Sequence, residues 1–236
     1  MTNKGKLYLI PSSIAEGNSL RILTPQLKEV LPEIHEFLAE NVRSARRFLA
    51  GLRIYESIEP LAFSVLDKDT EPQALGDLMS PLFSGRNMGI LSEAGCPGVA
   101  DPGARAVLFA HQNDIRVVPL VGPSSILLAL MGSGLNGQNF AFHGYLPVEK
   151  DRAAISIKEL ERESRVKNQT KIFIETPYRN QSLFDALLRN LSPDTLLTIA
   201  MDLTGPSEFI QTKPVKIWNE KPVHFEKVPT VFLFLG

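Results

Sequence analysis

Cysteine is almost absent from this chain of 236 residues, in which Cys96 is the only one. A single cysteine excludes an internal disulfide and a metal site built from several thiolates. The four histidines, at positions 35, 111, 143 and 224, lack the short spacing of histidines that bind a metal from one helix. We therefore expect no metal site.

Long apolar segments are also missing. A membrane-spanning helix needs roughly 18–20 apolar residues in a row, and the longest candidate, Val117–Met131, is interrupted by Gly122-Pro123-Ser124-Ser125. The apolar block Leu7–Ile10 is too short for the core of a signal peptide. These absences predict a cytoplasmic protein without membrane contact.

Positive and negative charges are nearly balanced, since the chain has 25 Lys and Arg, 26 Asp and Glu and a net charge of −1. No global field therefore attracts nucleic acid to this protein. Arginines nevertheless cluster on and around the predicted helix Ser44–Leu52, at positions 43, 46, 47 and 53. A local phosphate-binding face and a solvated helix face both account for this cluster.

Two nucleotide-binding fingerprints are absent, namely Gly-x-Gly-x-x-Gly after the first strand and Gly-Lys-Ser/Thr. The chain has instead four tight loops, each after a predicted strand: Pro11–Ser13, Ala94–Gly98, Gly122–Ser125 and Glu175–Arg179. Loops rich in Gly, Ser and Pro offer backbone groups and hydroxyls but few charges. They predict a nearly neutral ligand with many hydrogen-bonding groups, such as an adenosyl compound.

The order of strands and helices predicts an α/β fold with two α/β domains. Strands and helices alternate in the first half, with one helix predicted over Pro72–Phe83, which is typical of a mainly parallel sheet. The second half has fewer helices between strands, and Lys213–Val228 is interpreted as a polar connection, which favours a mixed sheet. We place the boundary near Val121, giving domains 1–120 and 121–236 with a ligand cleft between them.

Five segments, in chain order, carry family motifs. Ala39–Arg46 is similar to Ala-Glu-Asp-Thr-Arg-x-Thr-Arg, and Leu91–Gly103 to Ser-Asp-Ala-Gly-Thr-Pro-x-x-Ser-Asp-Pro-Gly. Gly122–Ser125 is similar to Gly-Pro-Ser-Ala, Phe142–Pro147 to Phe-x-Gly-Phe-Leu-Pro, and Glu175–Arg179 to Glu-Ser-Pro-His-Arg. Together they resemble the tetrapyrrole methylase superfamily of S-adenosylmethionine-dependent methyltransferases. Within it, the chain resembles most the branch that methylates a cytidine ribose 2′-hydroxyl in small-subunit ribosomal RNA.

The resemblance implies a homodimer that folds S-adenosylmethionine into the cleft between its two domains and acts on ribosomal RNA or the small ribosomal subunit. It implies cofactor-binding positions on both domains: Ala94, Gly95, Cys96, Val99, Ser124, Ser125, Tyr178, Ala200, Met201, Thr230 and Val231. The positions expected on the substrate side are Pro11, Ser12, Arg43, Arg46 and Arg47.

Four carboxylates in motif positions could serve as a catalytic base: Glu40, Asp101, Glu175 and Asp202. A ribose hydroxyl is a poor nucleophile while protonated, so a positioned base would help the transfer. Each of the four could equally cap a helix or hold a loop, and Asp101 before Pro102 is expected to be an N-cap. The sequence does not choose among them.

The chain departs from the branch at several positions. Met201–Gly205 stands where the branch carries Arg-Glu-Leu-Thr-Lys, and Asn41 replaces an acid. Phosphate contacts depend on Arg and Lys, so the lost basic groups leave two alternatives open. One is methylation of a small molecule such as a tetrapyrrole precursor, and the other is a non-catalytic relative that binds S-adenosylmethionine.

Overall fold

A computed structural model of the chain describes residues 4–15, 17, 20, 24–225 and 227–236. The chain forms two compact units, of which one ends at Ser124 and the other begins at Ser125. The predicted fold class is confirmed, because the N-terminal unit has a parallel sheet and the C-terminal unit has a mixed one. The predicted domain limits at 120 and 121 and the predicted cleft stay predictions. Every helix in the described ranges is too short or too polar to cross a lipid bilayer.

The sheet of the N-terminal unit has five strands: β1 (Leu7–Ile10), β2 (Glu36–Ala39), β3 (Ala62–Val65), β4 (Met88–Leu91) and β5 (Val117–Pro119). Their order is β3-β2-β4-β1-β5, and all neighbours pair in parallel. The carboxyl ends of parallel strands lie at one edge of a sheet, where open α/β folds bind ligands. The loops after β1, β4 and β5 therefore begin side by side.

Within the described residues, five α-helices cover both faces of this sheet: α1 (Pro25–Val30), α2 (Val42–Leu52), α3 (Leu75–Leu78), α4 (Ser80–Phe83) and α5 (Gly103–Gln112). Side chains alternate along a strand. Accordingly Ile10 packs with α1 and α2, while Leu7 packs with the other three helices. Thr24 caps the start of helix α1, because its hydroxyl accepts a hydrogen bond from the Leu27 amide at 3.2 Å.

The prediction of one helix over Pro72–Phe83 is wrong. The segment is a 3-10 turn over Pro72–Ala74 followed by α3 and α4, with a break at Met79. Pro81 has no amide hydrogen for the carbonyl of Asp77, and its ring collides with that carbonyl in a continuous helix. Pro81 instead occupies the first turn of α4, where the missing donor costs nothing.

The C-terminal unit contains α6 (Ser125–Ser133), β6 (Phe140–Phe142), α7 (Lys150–Lys167), β7 (Thr170–Glu175), α8 (Asn180–Asn190), β8 (Leu196–Met201), β9 (Phe209–Pro214), α9 (Val215–Glu220) and β10 (Thr230–Leu235). The strand order is β6-β7-β10-β8-β9, in which only β6 and β7 pair in parallel. Helices α7 to α9 cover one face of the sheet around Phe173 and Phe232, and α6 covers the other around Leu233.

Helix α9 lies inside the stretch that the sequence pattern presents as a polar connection. Its buried Trp218 packs against Phe184 and donates a hydrogen bond from Nε1 to the Leu197 carbonyl at 2.9 Å. Six residues are too few for a helical period to stand out. The pair Val215 and Trp218, three residues apart directly after Pro214, is the signal that could have revealed the helix.

Candidate functional site

The loops that follow β1 and β4 are tied together by three hydrogen bonds. The Ser12 amide donates to the Gly95 carbonyl at 2.8 Å, and the Gly95 amide donates to the Ser12 carbonyl at 3.2 Å. The Ser12 hydroxyl donates to the Ser92 carbonyl at 2.8 Å. Gly95 has a φ of +72°, which other residues adopt only at a cost. The glycine therefore allows the chain to turn back toward β1.

The loop that follows β5 packs against both of these loops. The Cys96 thiol donates to the Pro123 carbonyl at 3.3 Å, and burial raises the pKa of this thiol. Gly122 lies so close to Pro11 that a β-carbon at position 122 would overlap the proline ring. Three of the four predicted loops thus meet at the carboxyl edge of the parallel sheet.

Asp101 holds the middle of the glycine-rich loop. One carboxylate oxygen accepts hydrogen bonds from the amides of Gly98 at 2.6 Å and Gly103 at 2.8 Å. Burial raises the pKa of Asp101 and outweighs these two bonds, which lower it. Pro102 occupies the N-cap position of α5, and Asp101 supplies the hydrogen bond from one residue earlier. The hydrogen bonds of this carboxylate therefore stabilise the loop and the first turn of α5.

A cavity of about 340 Å³ opens beside these loops within the N-terminal unit. We call it the acceptor cavity. Among the residues that the structure describes, its lining combines hydroxyls, a small apolar wall, one cation and one carboxylate: Ser12, Ser13, Ile14, Ala15, Gly17, Ser44, Arg47, Phe48, Ser92 and Glu93. A few converging polar groups around a hollow of this size are typical of a small-ligand site.

The arginines of α2 occupy different environments. Arg46 forms an ion pair with Glu59 at 2.6 Å and lies over the Phe63 ring, 5.5 Å from its centroid. Arg47 lines the acceptor cavity, whereas Arg43 is exposed and is not part of the lining. Asn41 fixes the start of the helix, because its side-chain oxygen accepts a hydrogen bond from the Ser44 amide at 3.1 Å. The structure therefore brings one of the three predicted substrate arginines to the cavity.

Glu40 and Glu93 follow neighbouring strands. The register pairs Ala39 of β2 with Leu91 of β4, so both carboxylates begin at the same edge of the sheet. Partial burial raises the pKa of Glu40, and the negative charges of Glu93, Asp101 and Asp67 raise it further. Glu40 lies outside the lining of the acceptor cavity and Glu93 lies within it.

The predicted cofactor positions of the C-terminal unit form a row across its sheet. The registers pair Thr230 with both Glu175 and Met201, and Val231 with Ala200. The side chains of Ala200 and Val231 are buried in the core under α6. Only their backbone groups can therefore reach a ligand. Tyr178 is 82% exposed, and the Lys227 ammonium lies 5.4 Å from its ring centroid.

The remaining predicted carboxylates have partners within the C-terminal unit. Glu175 is buried, accepts a hydrogen bond from the Thr176 amide at 2.7 Å and lies 3.2 Å from the Arg179 guanidinium. Asp202 accepts a hydrogen bond from the Ser207 amide at 2.9 Å. Both carboxylates therefore support the turns in which they lie.

The residues of the cavity lining that were not predicted from the sequence include Ser44, Ser92 and Glu93. Glu93 had a visible signal, because it stands between Ser92 and Ala94 at the position where the superfamily motif has Asp. No signal in the sequence pointed to Ser44, because the helix face that it occupies depends on where α2 begins.

Comparison with known proteins finds relatives along most of the chain, although no protein-family model matches it. The chain is 32% identical over 209 residues to ribosomal RNA small subunit methyltransferase I of Vibrio cholerae serotype O1, covering 89% of this chain and 68% of that protein. It is 31% identical over 213 residues to the protein of the same name from Escherichia coli O157:H7, covering 90% and 70%.

Solved structures share the fold. The methyltransferase CobJ superimposes with a TM-score of 0.62 at 17% identity, covering 97% of this chain and 93% of that one. Uroporphyrin-III C-methyltransferase from Thermus thermophilus, complexed with S-adenosylhomocysteine, gives a TM-score of 0.58 at 18% identity, covering 98% and 97%. At these identities the likeness establishes the architecture alone.

Proposed function

Because the chain belongs to the ribosomal RNA small subunit methyltransferase I family, we propose that it transfers the methyl group of S-adenosylmethionine to a cytidine ribose 2′-hydroxyl in small-subunit ribosomal RNA. The observation that carries this proposal is the similarity over about nine tenths of the chain. The meeting of the loops after β1, β4 and β5 beside the acceptor cavity supports it.

The chemistry of the loops fits the cofactor. Residues 94–99 and 122–124 carry no charged side chain and turn through the positive φ values of Gly95 and Gly98, which expose backbone groups. Such a surface suits a nearly neutral adenosyl group better than a triphosphate. We keep the sequence assignment and propose that Ala94, Gly95, Cys96, Val99 and Ser124 contact the cofactor from the N-terminal unit.

The C-terminal unit contributes the second set of proposed cofactor contacts. These are Ser125, Tyr178, Ala200, Met201, Thr230 and Val231. The row formed by Thr230, Met201 and their neighbours across β10 and β8 supports this assignment. Ala200 and Val231 would act through their backbone groups, because their side chains are buried.

The bound cofactor supplies an electrophilic methyl group on its sulfonium. The protein must hold the ribose hydroxyl in line with the bond that breaks, exclude water and accept the hydroxyl proton. The acceptor cavity offers hydroxyl groups, the Arg47 guanidinium and a carboxylate within one hollow. These groups match the needs of a nucleotide substrate, which brings a phosphate and a ribose hydroxyl together.

A cytoplasmic homodimer is the proposed working form. Helix α6 supports it, because Leu127 and Met131 stand one turn apart on it and are 51% and 78% exposed. Light scattering of the purified protein tests this proposal. Twice the chain mass of 26.1 kDa is expected, and a monomer at micromolar concentration would contradict it.

Labelled methyl transfer tests the function and separates it from the two alternatives. The purified protein is incubated with S-adenosylmethionine labelled in its methyl group and with extract from cells lacking this gene. The extract is then divided into RNA, protein and small molecules. We expect the label in RNA of the small subunit. Label in the small-molecule fraction would indicate methylation of a compound such as a tetrapyrrole precursor. Cofactor binding without any transfer would indicate a non-catalytic relative.

A further inference from the structure

The acceptor cavity contains two opposite charges that have no partner in the described ranges of the chain. Arg47 and Glu93 both line it, and neither forms a hydrogen bond or an ion pair there, with each other or with another described residue. Arg46, the neighbour on α2, is bound to Glu59. Arg47 and Glu93, unpaired among the described residues, share one hollow and are available to a ligand that carries a negative group and a proton donor.

The four carboxylates that the sequence offers as a catalytic base are less suitable than Glu93. Asp101 is bonded to two loop amides, Glu175 is buried beside Arg179, and Asp202 is bonded to the Ser207 amide. Glu40 lies at the end of β2 and outside the cavity lining. Unlike these four carboxylates, Glu93 lines the cavity, and its carboxylate forms no hydrogen bond with any other residue that the structure describes.

We infer that the acceptor cavity receives the target nucleotide, with Arg47 binding its phosphate and Glu93 accepting the proton of its ribose 2′-hydroxyl. This inference rests on the proposed function and identifies the residues that bind the methyl acceptor and take up its proton. The volume of about 340 Å³ suits one nucleotide. Glu93 is then a catalytic residue, because its carboxylate contacts the reacting hydroxyl.

The step balances without any further reactant. The ribose oxygen forms a bond to the methyl carbon, and the bond between that carbon and sulfur breaks with its electron pair going to sulfur. S-adenosylhomocysteine leaves as a neutral thioether. The hydroxyl proton passes to the Glu93 carboxylate and from there to solvent, which is accessible because Glu93 is exposed.

The variant Glu93→Gln tests the base, because glutamine has the same shape and cannot accept the proton. We expect kcat to fall by about 10²- to 10⁴-fold, while the Kd for S-adenosylmethionine measured by calorimetry is unchanged. Glu93→Asp keeps a carboxylate and should retain most of the activity.

Glu159→Gln, an exposed change on α7, is the matched control for the loss of one carboxylate. The base assignment is overturned if Glu93→Gln transfers at the wild-type rate, or if both Glu93 variants lose activity equally. A wild-type protein that transfers no methyl group to small subunits would overturn the proposed function and this inference with it.

Arg47→Ala tests the phosphate contact. We expect weaker RNA binding, with the slope of log affinity against log salt reduced by about one, and a nearly normal kcat at saturating RNA. Arg162→Ala removes an exposed arginine of α7 and is the matched control. An unchanged salt slope in Arg47→Ala would overturn the assignment of Arg47.

Discussion

The glycine at position 205 departs from the family pattern, and its contact with Asp202 explains this departure. A β-carbon there would overlap the Asp202 carboxylate, which turns back to accept the Ser207 amide. Asp202 has a φ of +47°, and its carbonyl accepts the Gly205 amide at 2.7 Å. Asp202 and Gly205 are therefore coupled through the geometry of this turn. The missing lysine follows from the turn and is not by itself a sign of lost activity.

Gly205→Ala should move the Asp202 carboxylate away from the Ser207 amide. The free energy of unfolding should fall by about 0.5–1.5 kcal/mol, which is typical of one lost hydrogen bond, and urea denaturation measures it. Gly137→Ala is the matched control, because a β-carbon at Gly137 meets no atom within 4 Å. Equal stability of the two variants would contradict the coupling.

A buried lysine lowers the pKa of one carboxylate in the C-terminal unit. Lys171 is fully buried and donates to Glu163 at 2.6 Å and to Gln169 at 2.7 Å. Glu163 also accepts a hydrogen bond from Lys167 at 2.9 Å. The bonds from Lys171 and then Lys167 lower the pKa of Glu163 from 4.5 to about 2.

The lowered pKa predicts how stability changes with pH. The folded protein holds Glu163 ionised more strongly than the unfolded chain does, so its stabilisation is complete above pH 4.5 and is lost as the pH falls toward about 2. Glu163→Gln should therefore lower the free energy of unfolding at neutral pH and remove part of its decline in acid. Glu159→Gln is the control, and urea denaturation across this pH range is the measurement. Parallel pH profiles for wild type and Glu163→Gln would contradict the prediction.

At the scale of elements, the sequence predicts what its local patterns encode. The tight loops Pro11–Ser13, Ala94–Gly98 and Gly122–Ser125 come after the strands β1, β4 and β5, as the sequence predicts. The break at Met79 and the short helix α9 were not predicted, because a few residues carry too weak a period and tertiary packing decides their conformation. The composition of the sequence was enough to identify the glycine-rich loops. Their mutual contacts could not be predicted, because they depend on the order of the strands in the sheet.

Gly122→Ala tests the packing of the loops at the carboxyl edge. The added β-carbon would overlap Pro11 and should displace the loop after β5 from the loop after β1. Overpacking of this kind costs about 1–3 kcal/mol, and we expect the affinity for S-adenosylmethionine to fall by about tenfold or more. Calorimetry measures the affinity, with Gly137→Ala as the control. An unchanged affinity would contradict the proposed role of this loop.

At the scale of the whole molecule, the strand order β3-β2-β4-β1-β5 produces the candidate site. It places β4 between β1 and β2, so a residue after β4 lies beside α2, which follows β2. Arg47 and Glu93 therefore line one cavity although they are distant in sequence. The order of strands and helices predicted the fold class, whereas the proximity of these two side chains could be seen only in the three-dimensional arrangement.

The balance of positive and negative charges is also a property of the whole molecule. A net charge of −1 gives no general attraction to RNA, so recognition has to come from local contacts such as the one proposed for Arg47. Binding to RNA should accordingly depend on few phosphates. The resulting salt dependence should be modest, because the slope scales with the number of phosphates contacted.

Methyl transfer to purified small ribosomal subunits from cells that lack this gene tests the central claim most directly. Subunits are incubated with the protein and S-adenosylmethionine labelled in its methyl group, and their RNA is digested and analysed by mass spectrometry. We expect one new 2′-O-methylcytidine in the small-subunit RNA and none in large subunits treated alike. Small subunits that acquire no methyl group from a protein shown to bind the cofactor would contradict it.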